Sequence, residues 1–181
     1  MLEEKYRAVL LGLAFLILLM LSYIANTVFF NALGVLFQNQ LLVFSMIFIN
    51  NVTVVSLILL GMTFYVDLVV LGFFKREKYA HVVLEHPRTF AVVFALIVLF
   101  LSILRGANLF FGRIIIEALP IIFLVSTPIG IIEGYGIYLT IKKTLTRTMC
   151  MKDLVYIYSI FLVAAIMEVG FINLLIYVSK G

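Results

Sequence analysis

The chain has 181 residues, of which 65% are hydrophobic and only 12% charged, and its mean hydropathy is +1.26. Soluble domains sit nearer half apolar and a quarter charged, and at this size they still show much of their surface to water, so an ordinary soluble fold is excluded. The 13 basic residues behind the net charge of +4 are scattered through short connectors and form no stripe, which speaks against a nucleic-acid partner. A single cysteine, Cys150, excludes an internal disulfide and a cysteine-only metal site.

Apolar runs organise the rest, since a span needs about 20 residues to cross ~30 Å of hydrocarbon. Met1 to Arg7 precedes the first run, Ala8 to Phe30, which lacks a clear small-residue cleavage site and reads as a retained span. A polar but uncharged connector follows, with Asn31, Gly34, Gln38, Asn39 and Gln40. The second run, Leu41 to Phe74, is too long for one simple crossing. It is expected to tilt strongly, to project from the membrane, or to break at Asn50, Asn51 or Gly61. Lys75 to Arg88 is the most polar segment and reads as an amphipathic, headgroup-facing helix ended by Pro87.

The third run, Thr89 to Leu104, is short, and its span borrows from Arg105 to Asn108. The fourth, Ile114 to Ile141, is interrupted by Pro120, Pro128, Gly130, Gly134 and Gly136, and a basic connector from Lys142 to Asp153 leads to the fifth, Leu154 to Val178. The expectation is therefore one all-α domain over residues 1–181, a polytopic transmembrane bundle of about five spans, the second long or broken and the fourth kinked. Lys75, Arg76, Lys78 and Arg88 follow span two, and Lys142, Lys143, Arg147 and Lys152 follow span four. The positive-inside rule then predicts a multi-pass cell-membrane protein with a cytoplasmic amino terminus. Tyr6, Tyr79, Tyr156, Tyr158 and Tyr177 fall near span ends, as amphipathic rings prefer.

Ionisable side chains in hydrocarbon cost on the order of 2.5–3.5 kcal/mol by insertion scales, so each calls for a reason. Glu117 has Arg113 one turn earlier and reads as an interfacial ion pair, while Asp67 lies near the end of its run. Glu133 and Glu168 lie deeper, with no basic neighbour in sequence. They read as interhelical hydrogen-bond donors or as the lining of a proton or ion path. Asn50, Thr53 and Ser56 recur every three residues with Asn51 alongside, a polar strip suited to helix packing or to a substrate contact. Ser126, Gly130 and Gly134 recur every four residues and predict a seam for close helix approach, and Pro128 removes a backbone donor.

Enzymatic signatures are weak. Glu77, His81 and Glu85 are spaced by four, but the spacing matches no established zinc motif, both histidines lie in the connector, and no span holds a lysine or a pair of aspartates. Without a phosphate-binding glycine loop the chain is not expected to use ATP, and no cofactor is expected.

Two stretches resemble the stage II sporulation protein M family of membrane proteins. Ile47-Phe48-Ile49-Asn50-Asn51-Val52, continuing to Gly61, is similar to that family's Asn-containing helix, and within Leu124 to Gly136 the residues Pro128, Gly130, Ile131 and Glu133 match its Pro-His-Gly-Ile-x-Glu pattern. Ile129 stands where the family has histidine, Tyr135 where it often has proline, and the charged segment Lys75 to Arg88 where it has a glycine-rich connector. The resemblance implies a five-span protein with protein partners in the membrane. The family's named member is a scaffold that holds cell-wall-degrading enzymes at the membrane of spore-forming bacteria. On that basis the chain is expected to be a non-enzymatic scaffold or complex subunit in the lipid bilayer, with a homo-oligomer in view. The alternative from the residues is a small transporter or channel component with Asn50, Asn51, Glu133 and Glu168 along the path.

Overall fold

The computed structural model describes residues 39–72, 82–111 and 119–180 and single positions between 6 and 24, with side-chain surroundings over 39–72, 82–100, 127–171 and 173. Every regular element among them is a helix: α1 (Gln40–Val70), α2 (Val82–Glu85), α3 (Pro87–Phe111), α4 (Leu119–Leu145) and α5 (Met151–Lys180). Tyr6, just before the first apolar run, and Leu10, Leu13, Leu16, Ile17, Met20, Leu21 and Ile24 within it are helical and exposed. Among the described residues, two helices are long and apolar enough to cross a membrane: Gln40–Val70, with mean hydropathy 2.2, and Met151–Phe171, with 2.1. Only 22% of each apolar window is buried, whereas the core helix of a soluble protein would be mostly covered.

The long second run is one unbroken helix of 31 residues. Asn50, Asn51 and Gly61 do not break it, because none removes a backbone donor and apolar surroundings favour keeping the helical ladder intact. Asn39 caps its start, the side-chain oxygen accepting from the Leu42 N–H at 3.3 Å. Gly72, at φ 71, ends it in the left-handed region, its N–H bonding the Val69 carbonyl at 3.0 Å. The inward stripe of α1 runs Val43, Ile47, Asn51, Val55, then Val66 and Val69, at helical spacing.

Pro87 stands just past the end of the short α2, as the sequence suggests. It opens α3 at the first helical position, where the missing N–H costs nothing, and the four-residue α2 precedes it across a bend at His86. Pro128 sits inside α4 without interrupting it and is exposed.

Helix α4 is the hub and packs against α1, α3 and α5. Two glycines let it approach its neighbours. A methyl group on Gly130 would overlap Leu99 of α3, and one on Gly136 would come within 2.5 and 2.9 Å of the Phe161 ring of α5. Among the described residues nothing lies within 4 Å of that position at Gly134, so of the predicted seam it is Gly130 that receives a neighbour. At about 100° per residue, Gly130 and Gly136 lie ~120° apart around α4, which suits a helix flanked on two sides. Ser126 lies in α4 with its side chain outside the described residues.

The α4–α5 turn closes with the N–H of Thr148 on the Lys143 carbonyl and that of Arg147 on the Thr144 carbonyl, both at 3.0 Å, a Schellman closure. Its left-handed position is held by Arg147, at φ 55, where glycine is the usual residue. A side chain there costs roughly 1–2 kcal/mol. Cys150 immediately precedes α5, and Asp153 reaches back to its N–H at 3.1 Å while pairing with Lys143 at 3.4 Å.

Helices α1 and α5 run antiparallel. Gln40 donates to Asn173 at 3.3 Å, and 16 residues along α1 and 15 back along α5 Ser56 meets Tyr158 at 3.0 Å. Short connections make α3 and α4, and α4 and α5, antiparallel too. One end of the bundle therefore carries Asn39, Gln40 and Asn173; the other gathers Arg88, Lys142, Lys143, Arg147 and Lys152. Replacing Gly136 with alanine should cost about 1–3 kcal/mol through overpacking against the Phe161 ring. Gly134→Ala should instead gain about 0.5–1 kcal/mol in helix propensity. Unfolding midpoints in detergent micelles should move in opposite directions for the two variants.

Candidate functional site

The polar groups of the apolar helices fall into two kinds. Hydroxyls turn back on their own helix: Thr53 donates to the Ile49 carbonyl at 2.8 Å, Ser56 to Val52 at 2.7 Å and Thr63 to Leu59 at 2.7 Å. In α4, buried Thr140 and Thr144 donate to the carbonyls of Gly136 and Thr140 at 2.8 and 2.7 Å. Such bonds satisfy the hydroxyl without a second helix.

Asn51 and Glu133 do the opposite. The Asn51 side-chain N–H donates to Glu133 Oε1 at 3.2 Å and ties α1 to α4 across 82 positions of sequence. Asn51 is 9% exposed and is the polar member of the Val43–Ile47–Asn51–Val55 stripe. Glu133 is half-buried and lies one turn before Ile137 on the inward side of α4. An amide beside a carboxyl group is a robust pairing, since the amide offers both a donor and an acceptor and can serve either protonation state.

The remaining candidates are placed less centrally. Asn50 is half-buried, about 100° around α1 from Asn51, so of the two adjacent amides it is Asn51 that points to α4. The strip Asn50–Thr53–Ser56 resolves accordingly: Thr53 and Ser56 bond their own helix, and Ser56 also meets Tyr158 of α5. Glu168 is half-buried and continues the inward stripe of α5 through Ile157, Phe161 and Ala164. By the register of α1 on α5 it lies level with residues 45–46, about 8 Å along the bundle from Asn51. Pro128 is exposed and Gly130 buried, which puts the resemblance motif on two sides of α4.

Sequence reasoning missed the Gln40–Asn173 and Ser56–Tyr158 links and the Gly136–Phe161 contact. The first two join residues more than 100 positions apart, and no local pattern pairs them. In the polar connector, Glu77 and His81 lie outside the described residues, while Glu85 and His86 are exposed.

No family model, no curated protein and no solved structure matches the chain.

The Asn51–Glu133 bond carries its own test. Glu133→Gln keeps a carboxamide oxygen for the Asn51 donor and should leave the unfolding midpoint in detergent within error. Glu133→Leu strands a buried amide and should cost about 1 kcal/mol, the scale of an interhelical hydrogen bond in a membrane. Adding Asn51→Leu to Glu133→Leu should recover most of that loss, because no polar group of the pair then remains to be stranded.

Proposed function

We propose that this chain is a multi-pass integral membrane protein that acts as a non-enzymatic scaffold or subunit of a membrane complex. The observation that carries the reading is the Asn51–Glu133 bond, which commits the deepest amide and a deep carboxyl group to holding two helices together. The bilayer covers the exposed apolar faces, among them Leu96, Ile97 and Phe100 of α3 and Ile131 of α4.

The five-span plan takes α1, α3, α4 and α5 as four crossings and the first apolar run as another. At 31 residues, α1 is about 46 Å long. A tilt near 40°, the top of the usual range, still leaves roughly 5 Å outside the hydrocarbon, so α1 projects from the membrane. The basic end, with Arg88, Lys142, Lys143, Arg147 and Lys152, faces the cytoplasm, which puts the amino terminus on that side as well. The resemblance to the stage II sporulation protein M family supports protein partners in the membrane, and copies of the chain itself remain candidates among them.

A second reading, a small transporter or channel component, is favoured by one placement: Asn51, Glu133 and Glu168 lie on the inward sides of three helices that pack together. Purification in mild detergent from the native host, with mass spectrometry of what accompanies the chain, separates the two. A scaffold should retain a stoichiometric partner, and Glu133→Gln should retain it equally. A clean homo-oligomer whose pH-dependent flux in liposomes is abolished by Glu133→Gln or Glu168→Gln would replace the scaffold by the transporter.

A further inference from the structure

The α4–α5 turn sets cations directly above an apolar strip. Of the four cations between Lys142 and Lys152, two have partners within the fold: Lys143 pairs with Asp153 at 3.4 Å, and Lys142 lies 5.6 Å from the centre of the Tyr138 ring. Arg147 and Lys152 are both exposed. Arg147 keeps its side chain at the left-handed position of the turn, where glycine would fit without strain. Hydroxyls brace the turn from within, Thr146 donating to the Lys142 carbonyl at 2.8 Å and meeting Thr148 at 2.8 Å.

Below the turn, Met151 (75% exposed), Val155, Leu162 and Ile166 share one face of α5, within about 60° of arc. Ser159 borders the strip, but its hydroxyl turns back to the Val155 carbonyl at 2.7 Å and so does not make the strip polar. An anionic group of fixed position joined to an apolar chain matches this layout. A free phosphate or an acidic peptide would use only the upper half of it.

We propose that the α4–α5 turn and the outer face of α5 bind one anionic phospholipid, with its phosphate at Arg147 and Lys152 and an acyl chain along Met151, Val155 and Leu162. The proposal rests on the membrane-spanning reading. Bound lipid then pins the start of α5 to the leaflet surface and sets the depth of the bundle.

Native mass spectrometry of protein released from nanodiscs of equal phosphatidylglycerol and phosphatidylcholine reads the lipid retained. Phosphatidylglycerol should be retained in preference, and the preference should fall about fivefold in Arg147→Gly and in Lys152→Gln, the scale of one cation at an anionic surface. Arg147→Gly places glycine where the backbone favours it, so its fold is secure. Arg88→Gln, which removes the same charge from α3, should leave the preference unchanged. An equal fall in all three variants would mean that headgroups answer only to the overall charge of this end, and would overturn the site. Loss of bound phosphatidylglycerol on adding millimolar inorganic phosphate would assign the turn to free phosphate and overturn the lipid. Equal retention of both lipids by a protein that still requires detergent overturns the site alone, whereas a chain that stays dispersed in buffer without detergent overturns the membrane reading with it.

Discussion

Polar atoms in an apolar chain need partners that water does not supply, and most of this bundle follows from where they find them. Backbone groups are satisfied by helices. Most hydroxyls reach only as far as the carbonyl four residues earlier, as Thr53, Thr63, Thr140, Thr144 and Ser159 do, whereas Ser56 also meets Tyr158 of α5. An amide or a carboxyl group on a longer stem can reach another helix instead. Asn51 and Glu133 are therefore what specifies that α1 lies against α4 at one depth, since shifting either helix by a turn would strand a buried amide.

Close approach supplies the second constraint. Contact depends on shape, and α4 fits between α3 and α5 because it has no side chain at two points. Gly130 receives Leu99 and Gly136 receives the edge of Phe161, on faces about a third of a turn apart. The same helix carries Glu133 between them, so packing and polar pairing converge on one segment. That convergence favours a structural role for the segment.

Charge completes the arrangement. Antiparallel neighbours bring Arg88, Lys142, Lys143, Arg147 and Lys152 from three helices and a turn to one end of the bundle, although they are up to 64 positions apart. Asp153 offsets Lys143 and caps α5, which leaves the outer cations to face the surroundings.

Composition alone determined the class of this protein: 65% hydrophobic residues in long runs can be accommodated only as helices whose backbone bonds are internal. The apolar runs anticipated the presence and order of α3, α4 and α5, although each helix extends past its run into charged residues such as Arg88, Lys142, Lys143 and Lys152. The depth of Glu133 and the presence of an amide at residues 50–51 were legible too, as polar exceptions in apolar surroundings. Which amide meets the carboxyl group was not, because Asn50 and Asn51 are equivalent until α4 selects one face of α1. The glycines show the same limit: a repeat of four singled out Gly130 and Gly134, yet the neighbours of α4 use Gly130 and Gly136. Pro87 stands just past the end of α2 and at the first position of α3, where no donor is needed, and α4 continues as a helix through Pro128. Periodicity describes a helix by itself, and only packing decides which of its faces meets which neighbour.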